Sequence, residues 1–324
     1  MNAGEIRNVT CLGGGTIGSS WAVCFAMNGL NVTLYDISDE ALDTARKMIE
    51  RSCDTLLQCG VLSHQQQAVL YERIRYTTDV EESLKHADYI QESVPENYQV
   101  KRLTVDNIEK YAPSTAIVGS SASKMRISDI CANATHKERY ISAHPYNPPH
   151  LVPLVELAKG PGTAQDTEDI VYEFFCNLKK EPIRLQKESF GFIGNRYQAV
   201  LDREMADLVG RGVVSYEDAN KAITYGPGFR YAVMGPTLIY DLGNIKGTTA
   251  LLSNVSASGI NLLEDVASWT VNPHVKASDP EKTERLIVNL RHSLLPEEAQ
   301  TDREAAAIWR DKMLIKALRA HGKI

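Results

Sequence analysis

Along the first half of the chain, short apolar runs alternate with longer segments whose apolar residues recur every three or four positions. The short β-branched runs read as strands and the periodic stretches as helices. Strands are predicted at Val9–Leu12, Val32–Tyr35, Tyr89–Val94, Ala116–Gly119, Tyr140–Ala143, Leu154–Ala158 and Pro182–Leu185. Helical segments fall over Ser19–Asn28, 39–59, 64–73 and 164–179, with Ser38 or Asp39 capping the second. Alternation of this kind marks an α/β fold with a mostly parallel sheet. From about Ser189 the strand pattern fades, and helices are predicted over Tyr197–Gly210, Tyr216–Ile223 and Pro296–Ala320. The expected organisation is a sheet domain over 1–188 and a smaller all-helical domain over 189–324.

The junction between the first strand and the first helix carries Gly13-x-Gly15-x-x-Gly18, with Thr16 and Ile17 between the last two glycines. The second strand ends on Asp36, 18 residues after Gly18. Strand, glycine loop, helix and acid in this order form a dinucleotide-binding pattern, and the sheet domain is therefore expected to be of Rossmann type. Gly13 permits the tight turn, Gly15 lets a pyrophosphate approach the backbone, and Gly18 lets helix and strand pack closely. The phosphates would rest on the free N–H groups at the helix N-terminus. Asp36 would accept hydrogen bonds from an adenosine ribose and repel a 2′-phosphate, which selects NAD over NADP.

Composition narrows the function further. With 324 residues, 43% hydrophobic and 23% charged, the chain has the make-up of a globular protein of about two domains. A net charge of −6 without a basic run argues against nucleic acid as a partner. Cys11, Cys24, Cys53, Cys59, Cys131 and Cys176 show no C-x-x-C spacing, so neither a disulfide frame nor a metal site is expected. No secretory leader is expected at Met-Asn-Ala-Gly-Glu, and no apolar run reaches the roughly 18 residues of a membrane span. The expected setting is the cytoplasm.

Three further segments read Ser120-Ser-Ala-Ser123, Ala143-His-Pro-Tyr-Asn-Pro148 followed by Leu154-Val-Glu156, and Gly191-Phe-Ile-Gly-Asn-Arg196. In order and spacing they resemble the 3-hydroxyacyl-CoA dehydrogenase superfamily, over nearly the whole chain. The resemblance implies an active site of Ser123, His144, Glu156 and Asn195, with Glu96, Lys101 and Asn147 on the cofactor side, and a homodimer formed by the helical domain. The chemistry of these residues agrees with that assignment. Oxidising a secondary alcohol needs a base for the hydroxyl proton while hydride leaves, and histidine titrates in the useful range. A carboxylate beside it fixes the tautomer and stabilises the imidazolium. Ser123 and Asn195 would hydrogen-bond the reacting oxygen, in a cleft between the domains, although Ser120 and Ser121 are close enough to take the serine's role.

Two features point away from a CoA thioester. Residues 37–80 hold seven acids and five bases, and Cys59 stands where the family's CoA-contacting lysine would be. A net negative segment is a poor partner for CoA phosphates. Gly226-Pro-Gly-Phe-Arg-Tyr-Ala-Val-Met-Gly-Pro236 and Trp309-Arg-Asp311 resemble the λ-crystallin/L-gulonate 3-dehydrogenase branch and, more loosely, carnitine 3-dehydrogenases, which act on free acids. Arg230 is then expected to hold the substrate carboxylate, because a guanidinium meets it with two parallel bonds. Thr237-Leu-Ile-Tyr240 is less polar than the gulonate branch, whereas a trimethylammonium group would call for aromatic walls, for which Tyr98, Tyr146, Tyr231 and Tyr240 are available. The expectation is an NAD-dependent dehydrogenase of a gulonate- or carnitine-like free L-3-hydroxy acid. A 3-hydroxyacyl-CoA dehydrogenase, or a crystallin-like or NAD-sensing protein without turnover, are the alternatives.

Overall fold

The computed structural model describes residues 2–242, 264–271, 273 and 280–324. Eight strands form one sheet: β1 (Asn8–Leu12), β2 (Asn31–Tyr35), β3 (Ile74–Thr77), β4 (Tyr89–Glu92), β5 (Ile117–Ser120), β6 (Tyr140–Pro145), β7 (Leu154–Lys159) and β8 (Glu181–Leu185). Their order is β3-β2-β1-β4-β5-β6-β7-β8, and pairing is parallel except between β6 and β7. The chain moves outward from β1 in one direction through β2 and β3, then returns to β4 on the other side of β1. This reversal makes the carboxyl ends of β1 and β4 the crevice where open α/β sheets bind ligands.

The helices in the sheet region are α1 (Thr16–Met27), α2 (Asp39–Gln58), α3 (His64–Glu72), α4 (Val80–Leu84), α5 (Tyr98–Tyr111), α6 (Ile127–Ile130) and α7 (Gln165–Asn177). Helix α1 buries every residue from Gly18 to Ala26, as an all-round apolar helix should. On that side of the sheet Trp21, Phe25, Tyr89, Phe174 and Phe175 form one aromatic cluster, with Trp21 stacked on Phe25 at 5.1 Å and Tyr89 against Phe174 at 4.9 Å. Such ring pairs add about 0.5–1.5 kcal/mol each beyond the apolar area they bury.

Apolar periodicity does not mark β3, α4 or α5. Strand β3 is a four-residue edge strand inside a polar stretch. Helix α5 faces the core with Lys101, Val105 and Ile108, so a charged residue holds one position of its buried stripe. Its start is nevertheless set locally, because the Asn97 side chain accepts from the N–H groups of Gln99 and Val100.

By contacts the chain divides into two compact units, Met1–Asn195 with Asp311–Ile324, and Arg196–Arg310. The remaining helices are α8 (Gly194–Gly210), α9 (Tyr216–Tyr225), α10 (Pro227–Tyr231), α11 (Pro236–Leu242), α12 (Pro280–Leu294) and α13 (Arg303–Ala320). The single helix expected over Pro296–Ala320 is a 3₁₀ turn at Glu297–Ala299 followed by α13, whose first turn is capped by the Asp302 carboxylate accepting from Ala305 N–H at 2.8 Å. The last part of α13 belongs to the first unit. Ile315 and Leu318 join the main core with Leu56 and Leu62, and the Arg319 guanidinium donates to the Cys59 carbonyl at the α2–α3 corner. In the second unit, Trp269 Nε1 donates to Asp207 at 3.0 Å, and Arg211 bridges Asp207 and Asp265.

Candidate active site

The glycine loop sits at the sheet reversal. Gly13 N–H donates to the Tyr35 carbonyl at 2.9 Å, tying β1 to β2, and Gly14 N–H donates to Asp36 Oδ2 at 2.7 Å. Asp36 also accepts from Ile37 N–H, so the carboxylate is fixed at the loop with lone pairs to spare. A Cβ on Gly18 would lie 1.8 Å from the Gly13 carbonyl oxygen, so only glycine allows this approach of α1 to β1. At Gly15, by contrast, a Cβ would meet nothing within 4 Å, and this residue is the N-cap of α1 without a side-chain cap. The result is an open cradle, flanked by exposed Thr16 and half-buried Ile17, before the uncapped N–H groups of the helix. It fits a pyrophosphate. Ile37, which the sequence does not single out, is 82% exposed beside Asp36, an apolar side chain open to solvent at the end of the glycine-loop crevice.

The candidate catalytic pair comes from the one antiparallel step in the sheet. In the β6–β7 register His144 stands directly opposite Glu156, which is why a spacing of twelve residues brings them together. His144 Nδ1 and Glu156 Oε2 are 2.8 Å apart, both residues are buried, and no other hydrogen bond engages the imidazole among the described residues. The second carboxylate oxygen, Oε1, accepts from Ile193 N–H at 2.8 Å and Gly194 N–H at 3.0 Å, at the first turn of α8. Burial pushes the Glu156 carboxyl up, but the bonds from His144, Gly194 and Ile193 outweigh it and hold it below the ordinary carboxyl value. Gly191 and Phe192 make this possible by adopting left-handed backbone at φ 76° and 49°. For phenylalanine that conformation costs on the order of 1–3 kcal/mol. The Phe192 ring stacks on the His144 imidazole with centroids 4.6 Å apart and planes 9° from parallel, and Tyr146 meets it edge-on at 6.1 Å.

The three serines at and just beyond the end of β5 separate by their partners. Ser120 donates to Glu92 at 2.6 Å, and Ser121 lies in a network with Trp21 Nε1, Gln91 and Ser93. The Ser123 hydroxyl bonds no protein group among the described residues, and its backbone N–H, with that of Lys124, donates to the Glu96 carboxylate. Ser123 follows β5 and His144 is the penultimate residue of the neighbouring β6, so both lie at the carboxyl edge of adjacent parallel strands. Asn195, the second residue of α8, is half-buried with an uncommitted amide, and Asn147 is exposed after β6.

Lys101 differs from its expected place beside the cofactor. It is 1% exposed, and its ammonium donates to Glu92 Oε1 at 2.7 Å and the Val94 carbonyl at 3.2 Å. The resemblance matched its position, but α5 turns that position inward, where only pairing with Glu92 makes its charge tolerable. In the second unit Arg230 is exposed on α10, with Nη2 donating to the Ile239 carbonyl at 3.3 Å.

A depressed carboxyl contributes stability above its unfolded-state value and loses it as pH falls through the folded value. Glu156→Gln should therefore lower Tm at neutral pH and flatten the acid limb of the Tm–pH curve relative to the unmodified chain. Parallel acid limbs in the two proteins, recorded by calorimetry, would reject this role for Glu156.

Comparison with known proteins agrees with this geometry. Residues 8–189 match the NAD-binding domain of 3-hydroxyacyl-CoA dehydrogenase, and residues 191–270 match its C-terminal domain. An L-carnitine dehydrogenase of Oceanobacillus iheyensis is 32% identical over 87% of each chain. A 3-hydroxyacyl-CoA dehydrogenase of Gibberella moniliformis is 36% identical over 75% of this chain and 74% of its own. Among solved structures, that of 5-formyl-3-hydroxy-2-methylpyridine 4-carboxylic acid 5-dehydrogenase, an NAD+-dependent dismutase, is 26% identical, covers 98% of both chains and superposes with a TM-score of 0.77. With its NAD-binding domain and its histidine–glutamate pair in register, the chain belongs to the 3-hydroxyacyl-CoA dehydrogenase family and is an NAD-dependent oxidoreductase of CH–OH groups.

Proposed function

We propose that this protein oxidises the 3-hydroxyl of a free L-3-hydroxy acid, carnitine-like or gulonate-like, to the 3-keto acid. The observation that carries the reading is the buried His144–Glu156 pair, oriented through Nδ1, with Nε2 bonded to no protein group among the described residues. Nε2 takes the hydroxyl proton as the C3–H bond breaks. Gly13, Gly15, Thr16, Ile17, Gly18 and Asp36 would hold NAD on the cradle they form, and the bound nicotinamide would supply the acceptor for the hydride leaving C3. Glu156 stabilises the imidazolium that forms, while Ser123 and Asn195 hydrogen-bond the reacting oxygen. Asn147 and Glu96 stay on the cofactor side, Glu96 through the Ser123 loop it holds.

Three observations support a free acid over a CoA thioester. Several relatives similar over most of the chain are L-carnitine dehydrogenases, one of them 31% identical over 99% of it. The acid-rich α2–α3 segment lacks the family's CoA-contacting lysine, and its corner carbonyl at Cys59 is taken by Arg319 of the C-terminal helix. Arg230 would bind the carboxylate with its remaining guanidinium donors. For a trimethylammonium group, Tyr146 beside His144 is the aromatic wall. Tyr98 instead lies under the Arg102 guanidinium, and the Tyr240 side chain falls outside the described residues. The Gibberella relative keeps a CoA thioester as the competing substrate.

The helical region also supports a homodimer. On α8, Tyr197, Val200 and Leu201 leave an exposed apolar stripe at helical spacing, 67%, 48% and 47% accessible. The cytoplasm is the proposed setting, since all six cysteines are unpaired and no helix among the described residues is long and apolar enough to cross a membrane.

The reading is tested by NADH formation with L-carnitine, L-gulonate, 3-hydroxybutyrate and 3-hydroxybutyryl-CoA. Turnover of a free acid is expected, and His144→Ala should reduce it by about 10²–10⁴-fold with NAD binding intact. Preference for the thioester would overturn the free-acid reading. Arg230→Met should raise KM for a free acid far more than for its methyl ester, and equal changes would remove Arg230 from the carboxylate site. Sedimentation equilibrium should give twice the 35.9 kDa chain mass, with Leu201→Lys returning the monomer; a monomeric native protein contradicts the dimer.

A further inference from the structure

Among the described residues only Lys179 and Phe192 are non-glycine residues at positive φ. Lys179 directly follows the C-cap of α7, where left-handed backbone is the ordinary way to end a helix. Phe192 ends no helix. It precedes α8, is 3% exposed, and packs with Ala158 and Leu185 in a small cluster apart from the two main cores. One ring face meets the His144 imidazole. The next two residues point their N–H groups at Glu156 Oε1. One residue therefore meets His144 through its ring and sets, through its backbone, the turn whose N–H groups reach Glu156.

We propose that Phe192 is a positioning residue: its ring fixes the plane of the imidazole, and its left-handed backbone aims Ile193 and Gly194 N–H at Glu156. Together these hold His144 in the tautomer that carries the proton on Nδ1 and presents Nε2 as the acceptor. The physical need is specific. An imidazole whose one hydrogen bond is at Nδ1 can still rock about its Cβ–Cγ bond, which moves Nε2 off line. Displacement by about 1 Å costs a reaction of this kind about 100-fold. A parallel ring at van der Waals distance, with Tyr146 across the edge, removes that freedom. The kinetic consequence rests on the dehydrogenase reading above, whereas the tautomer itself does not.

Three variants separate the ring from the strain. Phe192→Leu keeps apolar bulk without a flat ring, Phe192→Gly relaxes the backbone and removes the ring, and Phe192→Tyr keeps a stacking surface. With the substrate that the panel identifies, Leu and Gly should lower kcat by about 10–100-fold with little change in NADH affinity, measured by nicotinamide fluorescence, and Tyr should recover most of the loss. In ¹⁵N-histidine NMR of the full chain, His144 should populate one tautomer in the native protein and a mixture in the Leu and Gly variants. Native kcat and a single tautomer in Phe192→Gly would overturn the proposal, as would equal losses in Leu and Tyr variants with an unchanged tautomer. If the native protein turns over none of the substrates, the dehydrogenase reading fails while the tautomer measurement still decides the role of Phe192.

Discussion

A buried carboxylate with no lysine or arginine partner among the described residues is the constraint around which the candidate site is arranged. Glu156 is fully buried, and its charge is tolerable only because three donors converge on it, the His144 ring and two backbone N–H groups. Each donor demands something of the fold. The ring requires β6 and β7 to run antiparallel in one register, and the N–H groups require a left-handed turn just before α8. Loss of any of them would leave a buried charge under-satisfied, at about 1–3 kcal/mol or more. The same three bonds keep Glu156 ionised beside the imidazole, as the proposed proton transfer to His144 requires.

The cofactor side follows a parallel logic with different parts. Asp36 anchors the glycine loop through Gly14 and keeps lone pairs free of that task, so the carboxylate proposed to select the nucleotide also shapes the loop. Beneath the crevice the Glu92–Lys101 pair joins the end of β4 to α5, and Ser120 adds the end of β5 to the same carboxylate. Glu96 then holds the loop carrying Ser123 by two backbone N–H groups. Ser120 and Ser121 are occupied by this scaffolding, which leaves Ser123 as the serine with a hydroxyl to offer.

The sheet was largely legible because most of its strands are short β-branched runs between helical segments. Strand β3 was not, because a four-residue edge strand needs no apolar face of its own. Helix α5 was hidden by Lys101, a core-facing charge that no periodicity argument places in a buried stripe. His144 and Glu156 could be paired from their spacing only through the family resemblance. Phe192 lies in the Gly191–Arg196 segment that carries the resemblance, but its place over the histidine was not legible there, because neither a φ value nor a ring–ring stack is written in residue order.

By itself the sequence determined the alternation of strands and helices, the glycine loop with its acid, and the chemical types required for hydride transfer. These are local properties, set by periodicity, side-chain chemistry and steric limits over a few residues. Tertiary structure alone decided that Lys101 serves Glu92, that Ser123 is the uncommitted serine, and that the C-terminal helix returns to the α2–α3 corner. It also decided that Phe192 covers the histidine. Each of these depends on which distant groups compete for the same donor, acceptor or surface, and that competition exists only once the chain has folded.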